Sequence, residues 1–182
     1  MRIISGSRKG RRIEPPRDII ARPTTDFAKE SLFDILAGYV DFTDITVLDL
    51  FSGTGSISYE FASRGASSVT SVESDRMQAN FIRRTAQELD FRNMQVVCAD
   101  VFRFLKRNAG VRYDVVFADP PYALPTLESL PDLVVSAGLL SDHGIFVLEH
   151  SKSNDFSHRP DFLRHRKYGS VNFSFFTSHA NL

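Results

Sequence analysis

The sequence predicts an α/β fold built on a doubly wound, mostly parallel sheet. From Ile45 onward, short β-branched and aromatic runs alternate with amphipathic stretches, the pattern of strands joined by right-handed crossover helices. The strand-like runs close on Gly, Pro or an acid, the residues that punctuate such units. Two final runs with no helix between them add an antiparallel hairpin at one edge, which parallel sheets tolerate.

Taken in order, Arg2-Ile3-Ile4 and Arg12-Ile13 flank Ser5-Gly6-Ser7-Arg8-Lys9-Gly10-Arg11 and predict a small hairpin or arm with a basic loop. Pro15-Pro16 breaks the structure. Phe27, Leu32, Phe33, Ile35 and Leu36 then mark a helix capped by Thr25 or Asp26 and ended by Gly38. Ile45 to Leu50 is the first core strand, Phe51 to Gly55 a tight turn, and Ser56 to Arg64 a helix closed by Gly65. Ser68 to Glu73 is a strand. Asp75 to about Leu89 is a helix with Met77, Phe81, Ile82, Ala86 and Leu89 on one face. Met94 to Cys98 is the third strand, Asp100 to Lys106 a short helix, and Tyr113 to Ala118 the fourth strand. A helix near Leu127–Ala137 leads to a strand at Gly144–Glu149, and Phe162–Tyr168 pairs with Val171–Thr177 about Gly169-Ser170. The strands number seven, and the reading is one domain over residues 1–182, with 1–44 as an extension of the core 45–182.

Lys and Arg number 22 and Asp and Glu number 22, so the net charge of zero says nothing about partners. The distribution says more. Arg2, Arg8, Lys9, Arg11 and Arg12 crowd the first twelve residues without an acid, which suits contact with phosphates as well as a solvated tail. A second basic stretch holds Lys152, Arg159, Arg164, Arg166 and Lys167. Cys98 is the single cysteine and sits in an apolar run, so it reads as a small buried thiol with no disulfide. No apolar signal core, no run of eighteen apolar residues and no Cys/His cluster occurs; the expectation is a soluble cytoplasmic protein without a metal.

Chemistry concentrates at the strand ends. Asp119-Pro120-Pro121-Tyr122 follows a buried-strand pattern that stops where two prolines remove the ladder donors. It offers a carboxylate, a stiff backbone with free carbonyls and an aromatic ring, just where open α/β sheets bind ligands. A flat nitrogen base with an exocyclic amine suits the place, with Asp119 and the Pro120 carbonyl as acceptors and Tyr122 as the stacking surface. An ordinary turn with a capping Asp and a core Tyr reads the same. Gly53 and Gly55 open a helix after a strand, and Glu73 lies about twenty residues on, as in a dinucleotide fingerprint. The third glycine is absent, however, because Ser58 stands there. Asp49, Glu73 and Asp100 near successive strand ends suit a ligand with an amino-acid end, a ribose and an adenine; each also suits a helix cap.

Val47-Leu48-Asp49-Leu50-Phe51-Ser52-Gly53-Thr54-Gly55, Val72-Glu73-Ser74-Asp75 and Asp119-Pro120-Pro121-Tyr122 resemble the motifs of class I S-adenosylmethionine-dependent amino-methyltransferases, which share a Rossmann-like fold. Arg2-Ile3-Ile4-Ser5-Gly6, Arg22-Pro23-Thr24-Thr25-Asp26, Glu60-Phe61-Ala62-Ser63-Arg64-Gly65-Ala66 and Lys167-Tyr168-Gly169 narrow the resemblance, nearly end to end, to the RsmD family, which methylates guanine N2 in bacterial 16S ribosomal RNA. The resemblance implies S-adenosyl-L-methionine as cofactor and a monomer acting on 16S rRNA or the small ribosomal subunit. It gives Phe51, Ser52, Gly53, Thr54 and Gly55 to the methionine portion, Glu73 to the ribose hydroxyls and Asp100 with Val101 to the adenine, with Asp49 and Ser74 as further cofactor-binding residues. Asp119, Pro120, Pro121 and Tyr122 would hold the target base, with Asp119 also near the cofactor. Arg2, Arg8, Lys9, Arg11, Arg12 and Arg22 would contact RNA, and Arg22 to Thr25 would close over cofactor or RNA. One departure is Thr85, where the family pattern carries Asn.

Several rivals use similar residues. Adenine-N6 methylation of DNA shares the tetrapeptide type but usually needs a target-recognition insert. Glutamine-N5 methylation of protein typically begins its motif with Asn rather than Asp119. A nicotinamide dehydrogenase is disfavoured by the missing glycine and by the Pro-Pro turn. A non-catalytic RNA-binding assembly factor would keep the scaffold without needing the acids.

Overall fold

The computed structural model describes residues 1–16, 19 and 25–178. Arg22, Pro23 and Thr24, to which the sequence assigns a closing segment and an RNA contact, lie outside the described residues. Among the described residues five helices, α1 (Asp26–Leu36), α2 (Ser56–Arg64), α3 (Arg76–Glu88), α4 (Val101–Arg107) and α5 (Leu130–Ser136), surround one sheet. Its strands are β1 (Thr46–Leu50), β2 (Ser68–Glu73), β3 (Met94–Cys98), β4 (Tyr113–Ala118), β5 (Leu140–His150), β6 (Phe162–Tyr168) and β7 (Val171–Thr177). The order across the sheet is β3-β2-β1-β4-β5-β7-β6, parallel from β3 to β5 and antiparallel thereafter. The chain winds outward from β1 in one direction and from β4 in the other. The crevice between those two strands is therefore the switch point where open sheets receive ligands.

Alternation of side chains across the pleat divides the core into two layers. Val47, Val115, Phe117, Ile145, Val147, Phe173 and Phe175 face α1, α2 and the amino-terminal hairpin. Leu48, Leu50, Val116, Ala118, Phe146, Leu148 and Phe176 face α4 and α5. Thr25 caps α1 through a bond from the Ala28 amide (3.2 Å), Asp75 caps α3 and Asp100 caps α4, each supplying an acceptor for an otherwise orphaned N–H.

Four local expectations need correction. Cys98 is exposed. It belongs to β3, the outermost parallel strand, whose residues are only partly covered. Met77 is also exposed, because the buried stripe of α3 runs through Ala79, Ile82, Thr85 and Ala86. The helix expected at 127–137 divides into a 3-10 turn at Leu127–Ser129 and α5, with Pro131 in its first turn, where the missing N–H costs nothing. The fifth strand starts at Leu140 rather than Gly144, since the ladder to β4 begins at Tyr113–Leu140 and resumes at Val115–Ile145 after an irregularity.

The amino-terminal hairpin closes through an Arg2–Arg12 bridge and is clamped to α2. Glu60, fully buried, accepts the Ile4 amide at 2.8 Å, the Ser5 amide at 3.0 Å and the Arg64 guanidinium at 2.8 Å, with the Lys29 ammonium at 3.9 Å. Ser7 N–H donates to the Ser63 carbonyl at 2.7 Å, and the Ser63 hydroxyl donates to the Ser5 carbonyl at 2.6 Å. Between them Gly6 has φ +82°, and a Cβ there would lie 1.8 Å from the Ser63 carbonyl oxygen. No other residue type fits.

Gly6→Ala is therefore expected to lower stability by about 2–4 kcal/mol through the clash and the left-handed backbone together. Gly10→Ala, at the same φ but with open space at its Cβ, should lose only about 1–2 kcal/mol. Urea denaturation of the two variants checks the difference.

Candidate active site

The turn after β1 is shaped by its backbone. Phe51 (φ 58°), Gly53 (φ 54°) and Gly55 (φ 83°) all take left-handed conformations, and the non-glycine Phe51 marks strain of the kind held at functional sites. The Ser52 amide donates to the Val72 carbonyl (3.1 Å) and the Ser52 hydroxyl to the Asp49 carbonyl (2.7 Å), which ties the turn to β1 and β2. Gly55 caps α2, and a Cβ on it would lie 2.8 Å from the ring of buried Tyr59. Here the glycine requirement comes from close packing as well as from φ.

A cavity of about 460 Å³ opens at the ends of β1, β2, β4 and β5. It is lined by Asp49, Phe51, Ser52, Gly53, Thr54, Ser56, Ile57, Glu73, Ser74, Gln78, Phe117, Asp119, Pro120, Pro121, Tyr122 and Glu149. Four of these are acids and none is a base. Asp49, Phe117 and Val147 lie in register across β1, β4 and β5. Two residues further along their strands, Asp119 and Glu149 therefore fall on that same face.

Each acid has a distinct environment. Glu73 is held by backbone donors, the Gly53 amide at 2.8 Å and the Asp75 amide at 2.7 Å. Asp49 is 1 % exposed and accepts from the Ser58 hydroxyl, which shares a 2.7 Å bond with the Ser71 hydroxyl. Ser58, the residue in place of a third glycine, thus carries the side chain that anchors Asp49. Burial pushes the Asp49 carboxyl up to about 7, opposed by the Ser58 bond and helped by the charge of Glu73. Glu149 is 5 % exposed and accepts from the Tyr122 hydroxyl at 3.0 Å through Oε1, while its Oε2 has no hydrogen-bond partner among the described residues. Burial raises it to about 7 as well. Asp119 is held well above the usual carboxylate range by burial first, then by the charges of Glu149 and Asp49.

The Asp119 amide donates to the Leu50 carbonyl at 3.4 Å, extending the β1–β4 ladder into the tetrapeptide. Leu124 N–H donates to the Pro121 carbonyl at 2.8 Å, whereas the Pro120 carbonyl has no donor among the described residues. The site thus combines two unsatisfied oxygens, Pro120 O and Glu149 Oε2, with several buried carboxyls and a half-exposed aromatic ring. Such a wall attracts a cation and a group rich in N–H donors.

Eleven residues singled out in the sequence meet at this cavity: Asp49, Phe51, Ser52, Gly53, Thr54, Glu73, Ser74, Asp119, Pro120, Pro121 and Tyr122. Gly55 stands behind its wall as the cap of α2. Asp100 and Val101 are not among the lining residues; Asp100 accepts from the Arg103 amide as the α4 cap, and Val101 is buried under the sheet. The basic side chains of the hairpin lie outside the cavity. Arg2 pairs with Asp26 at 3.4 Å, and Arg8 Nε donates to the Leu89 carbonyl at 2.8 Å, while Lys9, Arg11 and Arg12 are exposed. Glu149 belongs to no motif, and its only signal in the sequence is an acid near the end of a further core strand.

A family model described as "Conserved hypothetical protein 95" matches residues 1–177. "Ribosomal RNA small subunit methyltransferase D" of Escherichia coli K12 is 33 % identical over 154 residues, 85 % of this chain and 76 % of that protein. The protein of the same name from Haemophilus influenzae is 33 % identical over 155 residues, 84 % of this chain and 79 % of its own. A solved structure of a hypothetical protein from Thermus thermophilus superposes with a TM-score of 0.86 at 27 % identity, covering 97 % of this chain and 99 % of the other. A structure described as a SAM-dependent methyltransferase from Agrobacterium tumefaciens shares the fold at a TM-score of 0.64 and 18 % identity, covering 84 % of this chain and 63 % of the other.

The buried acids make the unliganded protein sensitive to pH. Asp49 and Glu149, raised to about 7, keep protons in the folded state that the unfolded chain has already lost, so stability declines as pH rises from the unfolded carboxyl range toward 7. The slope is expected to reach up to roughly 1.4 kcal/mol per pH unit for each group. Glu149→Gln should flatten it and leave the unliganded protein more stable at pH 7.5 than the wild type; urea midpoints between about pH 5 and 7.5 check this.

Proposed function

Because the chain belongs to the RsmD family, we propose that it is an S-adenosylmethionine-dependent methyltransferase of ribosomal RNA, acting on the exocyclic N2 of a guanine in 16S rRNA of the small subunit. The observation that carries the reading is the acid-lined cavity at the switch point, four carboxyls and, among the described residues, no basic residue in its wall, beside Asp119-Pro120-Pro121-Tyr122. S-adenosylmethionine, when bound, supplies a methyl group on a positively charged sulfur, and a wall of this charge and shape fits a cation of that kind.

The chain's own residues then divide the work. The backbone from Phe51 to Gly55 and Asp49 hold the amino-acid end, and Glu73 accepts from the ribose hydroxyls in place of part of its backbone partners. Asp100 with Val101 is assigned to the adenine side. Asp119 and the Pro120 carbonyl accept the two hydrogens of the base amine. That pairing favours a pyramidal nitrogen with its lone pair turned toward the cofactor and away from conjugation with the ring. Tyr122 stacks on the base, which must leave its own stack to enter; stacking of this kind contributes on the order of 1–3 kcal/mol. Positioning matters more than acid–base strength in such a displacement and can supply roughly 7–11 kcal/mol of the barrier reduction. Exposed Lys9, Arg11 and Arg12 on the hairpin are assigned to the phosphates around the target.

Labelled methyl groups are expected to pass from cofactor to small subunits isolated from cells lacking the gene, at one mapped guanine. Asp119→Ala should reduce transfer at least about 100-fold, the loss of one well-placed acceptor to a reacting group, with cooperative unfolding retained. Absence of label in the RNA with folded wild-type protein would refute the reading.

A further inference from the structure

Glu149 is brought to the cavity by β5, far in sequence from the motifs around it. Its two oxygens are unlike. Oε1 takes the Tyr122 hydroxyl at 3.0 Å; Oε2 is buried in the cavity wall with no donor among the described residues. A buried carboxylate oxygen in that condition is unfavourable, and a donor on a ligand would relieve it.

The place of that oxygen relative to a bound base follows from Tyr122. A phenolic oxygen lies in the plane of its ring at the ring's edge, so the carboxylate it holds sits beside the edge of a base stacked on the face. Asp119, on the same sheet face, claims the amine. Of the two ring nitrogens beside a guanine 2-amine, N1 carries a hydrogen and N3 a lone pair, so only the N1 side can donate to a carboxylate oxygen. The atom next to an adenine 6-amine is also N1, but there it carries a lone pair.

We propose that Glu149 is a specificity-determining residue: its Oε2 accepts the N1–H of the guanine whose 2-amine lies against Asp119. A base with a ring lone pair at this position sets that lone pair against a carboxylate and is rejected. The pairing gives the crowded acids two adjacent hydrogens to share, which fits the mutual repulsion of Asp119 and Glu149. This inference rests on the guanine-N2 reading above.

The test uses small subunits rebuilt with the mapped guanine replaced by 2-aminopurine, which keeps the 2-amine but has a lone pair at N1. Wild-type protein is expected to show a kcat/KM about 10–100-fold lower on these than on guanine subunits, the discrimination one well-made base contact gives. Glu149→Gln keeps an oxygen for Tyr122 and offers the base an N–H. It should lose at least about tenfold on guanine while holding or gaining on 2-aminopurine. Tyr122→Phe keeps the stacking ring but removes the hydroxyl that holds Glu149 Oε1, so it should narrow the difference between guanine and 2-aminopurine while leaving both substrates methylated. Equal wild-type rates on the two bases overturn the proposal, and so does a Glu149→Gln protein slowed equally on both. If Glu149→Gln does not fold, the wild-type comparison decides alone. Failure of the wild type on guanine subunits refutes the guanine reading itself and the Glu149 assignment with it.

Discussion

Carboxyl groups buried together repel one another and lose their hydration, and the ends of β1, β4 and β5 hold three of them. Asp49, Asp119 and Glu149 share one sheet face, and among the described residues no Lys or Arg lines the cavity they border. Burial raises all three, and the charges of Glu149 and Asp49 add to the rise at Asp119. An arrangement of this kind is costly in the unliganded protein and becomes favourable when a cation and N–H donors enter. The fold is arranged around that tension. The switch point supplies the crevice, the left-handed turn at Phe51–Gly55 lets the backbone approach closely, and the Pro-Pro turn leaves one carbonyl without a partner among the described residues.

Opposite logic governs the other buried charges. Glu60 is satisfied four times over, by two amides of the hairpin, by Arg64 and by Lys29. Lys29 in turn donates to the Arg2 carbonyl at 2.6 Å and the Ser56 hydroxyl at 3.1 Å. Breaking such a cluster from one side leaves a charge stranded, which is why it holds its geometry. The consequence is positional. The hairpin runs along α2, from Met1, whose sulfur is 3.8 Å from the Thr54 hydroxyl at the start of the helix, to Ser63 near its end. Its basic loop is held at the far end of α2, where Ser7 and Arg8 meet Ser63 and Arg8 spends its Nε donor on the Leu89 carbonyl, while Lys9, Arg11 and Arg12 remain outward.

Much of this was legible in the residues. Strand and helix limits from Ser56 to Ala118 follow from apolar period and caps, because those signals are local: Gly55 and Gly65 bracket α2, and Asp75 and Asp100 cap the helices that begin after them. Burial was less legible. Cys98 lies in an apolar run, yet the place of β3 at the sheet edge leaves it exposed. Met77 fits the apolar face of α3 by spacing but falls beyond the stripe that meets the sheet. Neither edge position nor helix roll is written in a local pattern.

The sequence by itself determined the order of elements, the seven strands and the turns that carry Gly53, Gly55 and Asp119-Pro120-Pro121-Tyr122, because period, capping and proline chemistry act over a few residues. Only the tertiary structure decided which of the strand-end acids meet. It kept Asp100 as a helix cap outside the cavity, gave Ser58 to Asp49, and brought Glu149 to Tyr122 across 27 residues. Those outcomes depend on strand order and register, which place side chains side by side from distant parts of the chain and leave no mark on the stretch of sequence around any one of them.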